Sequence, residues 1–275
     1  GCVFFHKLRS KKGLYMKTYQ KLVILVLLFS FSKTFSQLDL SHEVGIVAGP
    51  LSMQTDYGER NHFPSSNQST FGVAVVHYLS FFGSNYNWRN GATWFSDHFK
   101  LRTEFSYYFN NSLEHKGEPI EGNRPINDQL RAMKGETKMY NVGVQLEYYF
   151  KNLEDYGLLF NTADKFAPYI SAGLQYNSFD AELTNTSNGG LDVGNLPAKW
   201  QNNFFIEPDN TFSFTLSAGT RYKMNNIDLV ADARFQSFFS DRIDGLDQVD
   251  GSSKNNDTLI LFSVGIVFDL SNISR

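Results

Sequence analysis

The sequence predicts an all-β protein, an eight-stranded antiparallel transmembrane β-barrel behind an N-terminal signal peptide. Three observations predict it. A short apolar run with export-type flanks lies near the start. No later run is long and apolar enough for a membrane helix. Eight segments of 12 to 14 residues then alternate apolar and polar side chains with period two.

The export signal comes first. Lys17 and Lys21 give a basic start after Met16, Leu22 to Phe29 is unbroken apolar and Phe31 extends it, and Thr34 and Ser36 are small residues before Gln37. That is the order of a secretory signal peptide, and the run falls short of the ~20 apolar residues of a spanning helix. Cleavage is expected after Ser36. The expected organisation is 1–15 as an over-extended N-terminus, 16–36 as a signal peptide using the Sec pathway, and 37–275 as an outer-membrane β-barrel. The lone cysteine, Cys2, lies in the first segment, which removes disulfide and thiol chemistry from the mature chain. Seven basic residues and no acid lie in 1–36. Removing them from 25 leaves 18 basic against 28 acidic residues, a balance of −10. That excludes nucleic-acid binding, which needs a basic face.

The strand segments are 41–53, 69–80, 98–109, 137–150, 166–178, 211–223, 226–239 and 257–270, each long enough for the 9–11 residues of a tilted membrane strand. In the first, Pro50 implies a bulge or an early end to pairing. In the second, His77 falls on the apolar face, near an interface. In the fourth, Tyr140, Val142, Val144, Leu146, Tyr148 and Phe150 share one face. The sixth opposes Phe212, Phe214 and Leu216 to Ser213, Thr215 and Ser217, and the last two segments repeat the pattern.

A soluble sandwich or a lipocalin-like binder also alternates. Three details favour the membrane. The apolar face runs unbroken for five or six positions in most strands. Charges fall on the other face: Glu43, Lys100, Arg102, Glu104, Glu147, Arg221, Asp232 and Arg234. That face also carries Gly45, Gly49, Gly72, Gly143, Gly173, Gly219 and Gly265, small residues that let a narrow barrel close. Aromatic clusters at strand ends, Tyr107 to Phe109, Tyr148 to Phe150 and Phe238-Phe239, suit interfacial girdles.

With a periplasmic N-terminus, the outer loops are 54–68, 110–136, 179–210 and 240–256. The inner turns are 81–97, 151–165 and a two-residue turn at Met224-Asn225. The first two inner turns exceed the usual length and imply extra periplasmic structure.

The strongest candidate site is a charge network in the lumen, Arg102, Arg221 and Arg234 with Glu43, Glu104, Glu147 and Asp232, because buried charges must pair. Read as a plug it fills the bore; read as a lining it makes an ion path. In the last outer loop, Asp241, Asp244, Asp247 and Asp250 recur every third residue and offer oxygen ligands for calcium. That spacing differs from the helix–loop–helix calcium motif. His62, Ser65 and Asp56 share the first outer loop and His115 lies in the second, but no third group orients a base. No glycine-rich phosphate loop is present, so no nucleotide cofactor is expected.

Six stretches carry a resemblance: Ser41 to Pro50, Asp56 to Gly58, Asp97 to Lys100, Gln129 to Gly135, Gly219 to Tyr222, and Phe239 to Asp241 with Asp244 to Leu246. They make the chain similar to a family of small exported flavobacterial (Bacteroidota) outer-membrane β-barrels. More distantly, Glu43-Val44-Gly45 and Ala167 to Gly173 resemble PorG-like barrels of type IX secretion. The resemblance implies location and fold and carries no catalytic residue. The expected role is a non-enzymatic structural or interaction barrel, accessory to type IX secretion or gliding, contacting outer-membrane lipid and a secretion or surface protein. The alternatives are a narrow porin and a rim enzyme.

Overall fold

Alternation with period two places every second side chain on one face of a sheet, and a sheet with one wholly apolar face must close or pack. Here it closes. The computed structural model describes residues 40–57, 68–81, 93–153, 156, 165–186, 188–224, 227–246 and 256–270. The expected signal peptide, His62, Ser65, Asp247 and Asp250 lie outside them. The strands are β1 (Ser41–Gln54), β2 (Gln68–Ser80), β3 (Phe99–Glu114), β4 (Lys134–Tyr149), β5 (Phe166–Thr184), β6 (Asp209–Met224), β7 (Ile227–Phe238) and β8 (Thr258–Asp269). They form a closed barrel in chain order, every neighbour antiparallel, with β1 returning to β8.

The outside is inverted relative to a soluble protein. Ile46, Phe262 and Val264 are 63%, 58% and 68% exposed, while Arg102, Arg221 and Arg234 are at most 1% exposed. An apolar belt continued around eight strands is incompatible with water and matches hydrocarbon. Outward aromatics mark its edges. Tyr107 meets Tyr140 and Tyr176 meets Phe212 toward the outer ends, while Phe99 meets Tyr148 and Phe166 meets Tyr222 toward the inner ends. Tyr140 and Phe150 lie ten positions apart. That is about 34 Å along a strand and about 26 Å at a ~40° tilt, close to the usual belt height. Of the sequence clusters, only alternate members join the girdles: Tyr108, Tyr149 and Phe238 turn inward and are buried.

Close approach of neighbouring strands requires the inward glycines. A Cβ on Gly45 would lie 2.5 Å from the Ile266 carbonyl oxygen, and one on Gly49 would overlap the Phe262 carbonyl. Both positions sit at the β1–β8 seam that closes the barrel.

The structure corrects several boundaries. β3, β4 and β5 run past their expected outer ends, so 110–114, 134–136 and 179–184 are strand, not loop. Inward apolar positions continue there, with Leu113, Phe179, Ala181 and Leu183 buried. The outward positions become Glu136, Lys138, Asp180 and Glu182, which places this rim above the belt. A register shift between Asn110 and Leu113 breaks the parity that reading depends on. Pro50 produces neither bulge nor early end. β1 continues to Gln54, and Gly49 and Pro50 drop out of the β8 ladder without a change of register. The missing proline N–H costs a ladder bond, not the strand.

Among the described residues, two α-helices interrupt the connections. α1 (Trp94–His98) closes the first inner turn, started by a capping box between Thr93 and Ser96. α2 (Pro125–Ala132) lies in the second outer loop, with Pro125 in its first turn. In the second inner turn, Leu153 and Tyr156 are buried against Tyr149, Ala167 and Tyr169. Leu153 and Tyr156 therefore sit at the inner end of the bore.

Candidate functional site: a filled lumen under a loop cap

All seven lumen residues singled out from the sequence meet inside the barrel. Arg234 on β7 is bidentate to Glu104 on β3, both nitrogen–oxygen distances being 2.7 Å. In an eight-stranded ring those strands face each other, so the pair spans the bore. Arg102 also reaches Glu104, at 2.6 Å, and lies 3.7 Å from Glu147 and 3.9 Å from Asp232. Arg221 on β6 donates to Glu43 on β1 at 2.5 Å.

Sequence reasoning left out part of the network. Lys100 donates to the second oxygen of Glu43 at 2.5 Å. Asp228 takes Arg221 at 3.3 Å and Lys223 at 3.0 Å. The described cluster then holds five cations (Lys100, Arg102, Arg221, Lys223, Arg234) against five carboxylates (Glu43, Glu104, Glu147, Asp228, Asp232). Formal balance is what a low-dielectric interior requires. Tyrosines add further contacts, although Nε of Arg102, Arg221 and Arg234 and one oxygen each of Glu147 and Asp232 keep no hydrogen-bond partner. The Tyr149 hydroxyl donates to Glu147 at 2.5 Å, Tyr169 donates to Asp232 at 2.9 Å, and the Arg221 guanidinium sits 3.9 Å over the Tyr78 ring. Asp228 was legible as an inward position of β7. The tyrosines were hidden among strand-end aromatics, where only parity separates Tyr149 from Tyr148.

Above the charges lies a neutral polar layer. Gln236 donates to Asn177 and Ser213 at 3.0 and 2.8 Å, and Asn141 donates to Ser106 at 3.1 Å. Higher still the bore turns apolar. Leu51, Met53, Met139, Phe179, Leu259 and Leu261 close around Ile243, which descends from the last outer loop. A second apolar cluster sits on top. Tyr57, Met133, Leu196, Trp200 and Leu246 come from all four outer connections and join Leu113 and Leu183 of the strand rim. The described parts of the four outer connections thus form one cap.

Polar anchors fix the cap. Asp244 is buried, and its two carboxylate oxygens each accept a backbone N–H at 2.9 Å, from Asp56 and from Leu246. Burial, reinforced by the nearby charge of Asp56, pushes its carboxyl well above the usual carboxylate range. The Thr137 hydroxyl donates to the Ile243 carbonyl at 2.8 Å, and a bridge joins Phe204 to Leu246. Gly245 has φ +82°, the left-handed conformation glycine adopts without strain.

These contacts place the other candidates. Of the calcium residues, Asp244 is turned inward onto backbone groups and Asp241 remains in the same loop. Among the described residues no group of three or more His, Cys, Asp or Glu is arranged to hold a metal ion. His115 is buried in the cap, its ring 4.9 Å from that of Tyr57 and its Nε2 without a hydrogen-bond partner. Burial, with Lys199 nearby, lowers its pKa to about 4. Its setting is that of a packed neutral ring. His77 faces outward, as expected, and lies 3.0 Å from His42.

No family model matches the sequence, and no curated protein matches it. Among solved structures, the chain is similar to a major outer membrane protein from Thermus thermophilus, at 12% identity over 84% of this chain and 99% of that one, with a TM-score of 0.46. It is also similar to the outer membrane enzyme PagL, at 12% identity over 82% and 98%, TM-score 0.34. A third is the Yersinia pestis outer membrane protein Ail in a phospholipid bilayer nanodisc, at 14% identity over 83% and 99%, TM-score 0.30. Likeness at this level transfers no activity.

Proposed function

We propose that this chain is a non-conducting outer-membrane barrel with a structural or interaction role, and that its working surface is the extracellular cap. One observation carries the reading. The bore is obstructed at three heights, by Leu153 and Tyr156 below, by the Arg234–Glu104 clamp in the middle and by Ile243 above. A barrel so filled offers no route for solute, whereas residues from each of its four outer connections are drawn into one cluster. The partner class we favour is a surface or secretion protein, and type IX secretion or gliding is the assembly that the PorG-like sequence layout points to. Photo-crosslinking in cells from Val193 and Ile206, both exposed on the cap, tests this. A reproducible protein adduct from at least one position is expected; none from either would contradict it.

The narrow-porin reading rests on a specific feature. Among the inward neutral side chains, Gln145 Nε2, Thr215 Oγ1 and both side-chain polar atoms of Gln175 lack hydrogen-bond partners, as a water-lined segment would. Conduction would still require all three obstructions to move.

A further inference from the structure

The outer wall is not evenly convex. Outward positions form cross-strand rows, because register fixes which residues are level. One row reads Thr220 on β6, Ala231 on β7, Val264 on β8 and Ala48 on β1. The level above it pairs Ala218 with Ala233. Four of these side chains are alanine, on a belt whose other outward positions are mostly large. The wall is correspondingly hollowed into two apolar troughs that share the β6–β7 face, of about 680 and 600 Å3.

The larger trough runs to the inner girdle, where Phe166 and Tyr222 form its lip. Lys165 stands at that lip, exposed, its ammonium 6.0 Å from the centre of the Tyr222 ring, and no described carboxylate pairs with it. Its neighbour on β6 differs: Lys223 is engaged by Asp228. A cation with no described carboxylate partner, over an aromatic lip and directly at the mouth of an acyl-sized apolar trough, is complementary to one molecule with both parts. Position in the belt fixes the apolar part as a fatty chain, and Lys165 fixes the sign of the headgroup.

We propose that this trough is a specific site for an anionic phospholipid of the periplasmic leaflet. An acyl chain lies over Ala231 and Ala48, and the phosphate is drawn to Lys165. The proposal rests on the membrane-barrel reading.

The test uses protein purified from membranes and exchanged into nanodiscs, with native mass spectrometry counting retained phosphatidylglycerol and phosphatidylcholine. The wild type is expected to retain phosphatidylglycerol preferentially. Lys165→Gln should lower that preference about fivefold, the equivalent of about 1 kcal/mol per basic residue at a charged leaflet. Ala231→Trp, which fills the trough, should reduce retention of both lipids. Each variant is first checked for heat-modifiable mobility. Equal retention of the two lipids by the wild type, or unchanged retention in folded Ala231→Trp, overturns the site. Recovery of a lipid-free dimer lost in Ala231→Trp also overturns it, in favour of a second copy in the trough. Failure to float with lipid vesicles overturns the barrel reading itself, whereas flotation without retention overturns the site alone.

Discussion

Glu104 is buried and accepts from two arginines, Arg102 and Arg234, themselves buried. Glu104→Gln therefore strands cationic charge, and a loss of about 3–5 kcal/mol is expected. Urea unfolding in vesicles measures it. Glu114→Gln breaks an exposed pair with Lys134 and should cost under about 1 kcal/mol. His115 yields a pH dependence. Its pKa is lowered to about 4 from an unfolded value near 6.5, so its contribution is full above about 6.5 and is lost as pH falls toward 4. Asp244 is shifted the other way and opposes this trend. Amide protection factors in the cap, corrected for the intrinsic exchange rate, should fall as pH drops through that window in the wild type and fall less in His115→Phe, which keeps the stacking on Tyr57. An unchanged profile in the variant would assign the dependence elsewhere. The charge network was legible in the sequence because parity is a covalent property of a strand: Glu43 or Arg234 can face only one way. Its partners were not, since pairings such as Arg221 with Glu43 join residues far apart in sequence.

Strand β1 shows what an element needs in order to close a narrow barrel. Its inward glycines meet the β8 backbone directly, so Gly49→Val should prevent closure and abolish heat-modifiable mobility. Ser52→Val, at a position facing outward near the rim, should leave mobility unchanged. Equal behaviour of the two variants would mean that the seam tolerates side chains. All eight strands could be found from alternation alone, and Pro50 misled only because a proline stops pairing on one side of a strand, not both. The outer extensions of β3, β4 and β5 were missed for a different reason. Above the belt the outward face turns charged at Glu136, Lys138, Asp180 and Glu182, and local sequence there reads as loop. The cap was illegible because Tyr57, Met133, Trp200 and Leu246 lie in four separate polar connections, and only the closed ring brings those connections together.

At the scale of the described barrel, an apolar belt surrounds a charge-balanced filling, with Leu153 and Tyr156 buried below it and Ile243 above. The belt makes a direct demand. Val142→Arg, near its middle, should cost about 2–4 kcal/mol in vesicles, while Glu136→Arg, above it, should be close to neutral. The filling makes another. Single-channel recording in planar bilayers, with insertion verified by heat-modifiable mobility of the same preparation, should show no discrete conductance steps in the wild type. Discrete steps that change amplitude in Arg234→Ala would contradict a filled bore and establish a pore through it.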